Sequence, residues 1–104
     1  MRERIVALLA SAKVMAFIKG TPAAPQCGFS RRFVEMLKKQ GIQFGSFNVL
    51  SDAAIRDGLK KFSNWPTYPQ LYINSELVGG LDVCTELADS GELKAMVPAD
   101  YLVQ

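Results

Sequence analysis

The hydrophobic positions along this chain switch between two periods, and the switches divide it into short elements. Over residues 2–11, Ile5, Val6, Leu8 and Leu9, with Ala12 just beyond, fall on one face at helical spacing, which predicts a helix. Val14, Met15, Ala16, Phe17 and Ile18 form an unbroken apolar run between Lys13 and Lys19, the pattern of a strand covered on both faces. Pro22 and Pro25 mark residues 20–26 as a loop. From about residue 28 to residue 40 the helical period returns: Phe29, Phe33, Val34 and Leu37 share a face, Lys38 and Lys39 sit in the last turn, and Gly41 is placed to end it. Residues 42–49 alternate in two phases, Ile42 with Phe44 and then Phe47 with Val49, so Gly45-Ser46 marks either a bulge or the true start of a strand. Ser51 or Asp52 caps a third helix reaching about residue 62, with Ile55, Leu59 and Phe62 inward.

The second half is punctuated more heavily. Trp65-Pro66-Thr67-Tyr68-Pro69 cannot be helical, with two prolines three residues apart. Residues 70–73 read as a strand, Asn74-Ser75 as a turn and residues 76–78 as the returning strand of a hairpin. Gly79-Gly80 ends it, Leu81 or Asp82 opens a helix to about residue 88, Ser90-Gly91 breaks that helix, and residues 92–96 form a last short one. Residues 98–104 look like a tail. The order α-β-α-β-α-β-β-α predicts an α/β fold: a four-stranded mixed sheet with helices on both faces, as in thioredoxin-like domains.

Composition narrows the class. With 104 residues, 49% apolar and 21% charged, the chain fits one domain over residues 1–104, its core at about 13–96, either a whole protein or one domain of a longer one. A net charge of +2 is too small to suggest a nucleic-acid binder. No apolar run approaches the roughly 18 residues of a membrane span, and Met1-Arg2-Glu3-Arg4 lacks the apolar stretch of a targeting signal. Neither nucleic acid nor membrane is therefore expected as a partner.

The absences reach further into the chemistry. There is no histidine, which removes Ser-His-Asp and Cys-His catalysis and histidine metal sites. Two cysteines can neither close a four-ligand zinc site within one chain nor form a disulfide framework, and they suit a reducing compartment. Cys27 lies between the Pro-containing loop and a helix start, where unpaired N–H groups and the helix dipole favour a thiolate. Lys19, at the end of the first strand, could add positive charge. On position alone a buried structural cysteine is an equal alternative. Cys84, inside the apolar face of a helix, reads as structural. Ser30, three residues after Cys27, could hydrogen-bond a thiolate but could not resolve a mixed disulfide; a plain first-turn helix residue is an equal reading.

Cys27-Gly28-Phe29-Ser30 resembles the active-site motif of the monothiol glutaredoxins of the CGFS class. Lys19-Gly20-Thr21-Pro22 followed by Pro25-Gln26 resembles that family's lysine and extended loop. Trp65-Pro66-Thr67-Tyr68-Pro69-Gln70 resembles its Trp-Pro turn and Thr-X-Pro segment, with Pro69 cis in the family, and Gly79-Gly80-Leu81-Asp82 its Gly-Gly-X-Asp. Gly45-Ser46-Phe47 and the stretch from Ile55 to Leu59 resemble the glutaredoxin domains of multidomain PICOT-like proteins. Leu81 stands where many single-domain members have cysteine, and Cys84 matches no family ligand.

The resemblance implies a site. Lys19 and Arg56 would hold the glycyl carboxylate of glutathione. Thr67 and Tyr68 would border its cysteinyl part, which pairs with the Tyr68 backbone like an added strand. Gly80, Leu81 and Asp82 would take the γ-glutamyl end, with N–H groups for its carboxylate and the Asp82 side chain for its ammonium. It further implies a [2Fe–2S] cluster bridging a homodimer, with Cys27 of each chain and two glutathiones as the four ligands, and a role in iron–sulfur cluster transfer and iron homeostasis. BolA-type proteins and iron–sulfur recipient proteins are the implied partners, and the cytoplasm, with the nucleus second, the implied compartment. The competing reading is a glutathione-dependent thiol–disulfide oxidoreductase that reverses glutathionylation with Cys27 as nucleophile, and enzymatic activity is expected to be weak at most. A third is a passive interaction domain.

Overall fold

Strand β1, Val14–Ile18, is buried along its whole length, because its side chains alternate into two separate cores. Val14, Ala16 and Ile18 face one side of the sheet with Leu71 and Ile73; Met15 and Phe17 face the other with Tyr72. A computed structural model describes residues 1–103 of the chain. In it β1 pairs in parallel with β2, Gly45–Asn48, and antiparallel with β3, Gln70–Ile73, while β4, Glu76–Gly79, closes the hairpin with β3. The strand order is β2-β1-β3-β4, the expected four-stranded mixed sheet.

Helices cover both faces. On one side pack α1, Arg2–Leu9, and α3, Ala53–Phe62, through Ile5, Leu9, Ile55 and Leu59. On the other pack α2, Gly28–Lys39, α4, Leu81–Ser90, and α5, Glu92–Met96, through Phe33, Val34, Leu37, Cys84, Ala88 and Leu93. Asp52 caps α3 by accepting the Ile55 N–H at 3.1 Å, and its other carboxylate oxygen takes the Arg4 guanidinium at 2.7 Å. One side chain thus starts α3 and ties α1 to it, and the Arg4 contact first, then the Ile55 N–H, holds the Asp52 carboxyl below its usual range. Among the described residues no helix is long and apolar enough to cross a membrane.

Of the two readings of Gly45-Ser46 the strand start holds: β2 begins at Gly45, and Ile42 before it makes an isolated bridge with Leu102. Three local expectations change. Residues 98–103 are a strap and not a tail: Gln43 N–H donates to Tyr101 O at 2.7 Å, Val103 N–H to Gly41 O at 2.7 Å, and Lys13 pairs with Asp100 at 2.8 Å. The last expected tail residue, Gln104, lies outside the described residues. Phe62 is not inward; it is 38% exposed, at the end of α3, with the Arg2 guanidinium 5.3 Å from its ring centroid. Helix α1 stops at Leu9 with Ala10 as its C-cap, and Val6 points outward.

Candidate functional site

The site lies where β1, α2, the 65–69 turn and the start of α4 meet. After Ile18 the chain must leave the sheet and return within a few residues to begin α2. It does so through a closed loop. Thr21 and Ala24 exchange backbone hydrogen bonds, and Gln26 N–H donates to Lys19 O at 2.9 Å. Gly20 makes this possible: its φ is +95°, and a Cβ there would lie 2.6 Å from both Ala24 O and Gln26 N. Asn48, at the end of β2, accepts the Gly20 N–H and the Leu50 N–H at 2.9 Å each, which fixes the loop against the sheet.

This loop delivers Cys27 to the N-cap of α2, with extended backbone (φ −149°, ψ 139°) and its carbonyl accepting the Arg31 N–H at 2.9 Å. The side chain closes no cap hydrogen bond as a thiol. The Ser30 backbone N–H nevertheless faces the sulfur, followed in effect by the Phe29 N–H, the Lys19 charge and the Ser30 hydroxyl. Together they outweigh partial burial and hold the Cys27 pKa below its ordinary value. Ser30 is fully buried, and its hydroxyl oxygen accepts the Lys19 N–H at 3.0 Å, so its own proton is free for the sulfur. Both readings of Ser30 are realised at once, in the first turn of α2 and against the sulfur. Cys84 is the opposite case: fully buried in α4, its thiol pointing at Gly79 O at 3.7 Å, and pushed up to about 12 by burial.

Beside Cys27 opens a cleft of about 420 Å³. Lys19 and Phe29 form one wall, the turn from Trp65 to Pro69 another, and Gly80, Leu81 and Asp82 the third. Six of the expected ligand contacts therefore share one cavity: Lys19, Thr67, Tyr68, Gly80, Leu81 and Asp82. The approach of the last two walls is close, since a Cβ on Gly80 would lie 3.2 Å from Pro69 O and 3.4 Å from Trp65 Nε1. The Tyr68–Pro69 peptide is cis. Cys27 does not itself wall the cleft; its neighbours Phe29 and Lys19 do. Arg56 does not wall it either: its guanidinium lies 3.8 Å from Asp57, while its backbone carbonyl accepts the Tyr68 hydroxyl at 2.7 Å. Lys60, one turn further along α3, takes a place in the wall, with its Nζ 5.7 Å from the Tyr68 ring centroid.

Three contributors have no site role assigned from the sequence, although Phe29 and Gln70 stand within its motifs. Lys60 follows Arg56 by one helical turn and could have been found by that spacing alone. Phe29 was expected to face the core with Phe33; it is 55% exposed, at the cleft, with Arg32 stacked 5.0 Å from its ring. The third is Gln70, a fully buried polar residue whose carboxamide supports the 65–69 turn, donating to Trp65 O at 3.2 Å and Thr67 O at 3.1 Å. Among the described residues no three His, Cys, Asp or Glu side chains converge to hold a metal ion.

Comparison with known proteins gives a consistent result. The family model described as Glutaredoxin matches residues 14–78. Monothiol glutaredoxin-5, mitochondrial, of Lachancea kluyveri is 49% identical over 98% of this chain and 74% of its own length. Monothiol glutaredoxin-S11 of Oryza sativa is 57% identical over 91% of the chain but only 19% of its own length. A monomeric truncated mutant of Trypanosoma brucei 1-C-Grx1, solved in solution, superposes with a TM-score of 0.81 at 43% identity, covering 92% of this chain and 87% of that one. The chain spans between about a fifth and two fifths of the length of the rice, fission-yeast and zebrafish relatives it matches.

Proposed function

The chain belongs to the glutaredoxin family, in its monothiol branch, and from that premise we propose that it binds glutathione in the cleft beside Cys27 and carries a [2Fe–2S] cluster as cargo. The observation that carries this reading is the single accessible, acidified thiol at the cleft. Cys27 stands at a helix start with its pKa lowered, the position a second thiol would need is filled by buried Ser30, and Cys84 is inert. A thiolate is the form that ligates iron. The absence of any three-residue metal cluster among the described residues suits a cargo that takes its remaining ligands from outside the chain. Two chains would supply two Cys27 thiolates, and two glutathiones the other two.

The cleft chemistry supports glutathione as the external thiol. The tripeptide carries two carboxylates and one ammonium. Lys19 is placed for one carboxylate, the α4 start at Leu81 and Asp82 offers unpaired N–H groups to the other, and the Asp82 side chain can meet the ammonium. Arg56 joins Lys19 only if its guanidinium leaves Asp57; Lys60 already stands in the wall. A homodimer, a BolA-type protein and iron–sulfur recipient proteins are the partners of this reading, and the cytoplasm, with the nucleus second, is its compartment.

Anaerobic reconstitution with iron, sulfide and glutathione tests it. We expect a brown, glutathione-dependent dimer with visible absorbance. A colourless monomer that turns over rapidly in a glutathione-linked disulfide assay would overturn the carrier reading. It would favour deglutathionylation instead, in which the Cys27 thiolate takes the glutathionyl sulfur from a mixed disulfide and a second glutathione releases it as glutathione disulfide.

A further inference from the structure

The 65–69 turn has no regular hydrogen-bonding partner strand, yet it forms a whole wall of the cleft. What holds it is a file of buried side chains on the α1/α3 face of β3. Gln70 is fully buried and Tyr72 nearly so. The Ser63 and Tyr72 hydroxyls share a hydrogen bond, and the Tyr72 hydroxyl donates to Gln70 Oε1 at 2.6 Å. The Gln70 amide then spends both hydrogens, one on Trp65 O at 3.2 Å and one on Thr67 O at 3.1 Å. The orientation of the carboxamide follows from its partners: two carbonyls demand the nitrogen, and the hydroxyl, whose own oxygen accepts from Ser63, demands the oxygen.

The contact with Thr67 has a directional consequence. The Thr67–Tyr68 peptide is planar and trans, so its C=O and N–H point in opposite directions. Drawing the Thr67 carbonyl inward onto Gln70 therefore turns the Tyr68 N–H outward, on the side where Thr67 and Tyr68 wall the cleft. The Tyr68 side chain is anchored the other way, buried with its hydroxyl on Arg56 O. We propose that Gln70 is a positioning residue for ligand binding: through the Thr67 carbonyl it aims the Tyr68 N–H at a peptide carbonyl of the bound thiol tripeptide. This rests on the glutathione reading above and adds to it the residue that sets the geometry of its strand-like contact. A buried carboxamide is held to one arrangement because any other leaves a carbonyl, an amide hydrogen or the Tyr72 hydroxyl unpaired in the core.

Titration of ¹⁵N-labelled full chain with reduced glutathione tests this. In the wild type, saturation should move the Tyr68 amide proton downfield as it gains an acceptor, and should also move the amides of Leu81 and Asp82. In Gln70→Leu, affinity should fall roughly tenfold. At saturation the Tyr68 amide should lose its downfield displacement while Leu81 and Asp82 keep theirs. A general loosening would disturb both ends of the site together and would overturn the assignment, as would a folded Gln70→Leu with wild-type affinity and a wild-type Tyr68 response. Should Gln70→Leu not fold, Tyr72→Phe is read the same way. It keeps the ring and removes the hydroxyl, which is the donor to Gln70 Oε1 and the partner of Ser63, and it should weaken the Tyr68 response in the same direction; an unchanged response overturns the proposal. A wild-type spectrum that ignores glutathione altogether would sink the binding reading itself, a result told apart because no variant is involved.

Discussion

Cys27 and Cys84 are the same side chain in two environments, each near a helix start on the same face of the sheet. Cys27 precedes α2 and Cys84 sits one turn inside α4, its N–H donating to Gly80 O at 3.0 Å. One faces N–H groups and the Lys19 charge with access to solvent; the other faces the apolar core. Their acidities move apart for that reason, Cys27 downward and Cys84 up to about 12. Four residues of displacement along a helix, from the cap to the end of the first turn, thus separate a reactive thiol from a packing residue. The helix terminus contributes only when the side chain stands at the cap, where the N–H groups have no intrahelical partner.

The sharpest way to break this contrast is to delete each thiol in turn. Cys27→Ser should abolish iodoacetamide labelling at pH 7 and the reconstituted cluster, while Cys84→Ser should leave both. Loss of the cluster in a folded Cys84→Ser protein would show that exposure at the cap is not what selects the ligand. The second variant should lose stability, because a hydroxyl replaces a sulfur in a fully buried position, at a cost of roughly 1–3 kcal/mol.

A smaller effect is expected at the positive wall. Lys19→Ala should weaken glutathione binding by roughly tenfold to a hundredfold, the value of one charge-assisted contact of about 1.5–3 kcal/mol, read by calorimetry. Unchanged binding would move the carboxylate contact to Lys60, the other cation already in the cleft wall. The same variant should raise the Cys27 pKa, because one of the charges favouring the thiolate is gone.

The two thiols should also print opposite slopes on stability against pH. Cys27 is more acidic folded than unfolded. Above its folded pKa the unfolded chain still binds the proton, so its contribution grows as pH rises and levels off near the ordinary value of 9.0. Cys84 is less acidic folded. Between pH 9 and about 12 the unfolded chain has released the proton that the folded chain keeps, so stability falls, at a limiting slope of about 1.4 kcal/mol per pH unit. Burial also raises Tyr68 and Tyr72 from their ordinary 10.0, so the interval from pH 9 to 10 belongs mainly to Cys84. Urea midpoints across that interval should decline in the wild type and flatten in Cys84→Ala. A variant that declines as steeply would place the proton elsewhere.

The legibility of these regions in the sequence differs for physical reasons. The β1 run, the turn of two prolines and the Asn74-Ser75 hairpin are local signals, set by sterics and period, and the elements appear where those signals stand. Phe29 and Phe62 mislead because period reports a face but not how far the core extends along it; each sits at a helix end beyond the sheet's cover. The 98–103 strap has no period at all and depends on Gly41 and Gln43 lying beside it in space. Gln70 carries no signal in a strand read for hydrophobicity. Its carbonyl partners, Trp65 and Thr67, lie within five residues, yet only the fold shows that their oxygens turn inward.

The smallest expected effect separates the contributions at Cys27 itself. Ser30→Ala keeps the backbone N–H that does most to acidify the thiol and removes only the hydroxyl, the least of the contributions. The Cys27 pKa should therefore rise by less than in Lys19→Ala, and alkylation at pH 7 should slow by well under tenfold, since tenfold corresponds to a full pKa unit. Stability should respond more than reactivity. The Ser30 oxygen accepts the Lys19 N–H at 3.0 Å, and without it that N–H is left unpaired in a partly buried position, at a cost of roughly 1–3 kcal/mol. Alkylation rate against pH and urea midpoint, measured on both variants, give the ordering. A larger pKa rise in Ser30→Ala than in Lys19→Ala would mean that the hydroxyl, and not the helix terminus with its neighbouring charge, governs the thiolate.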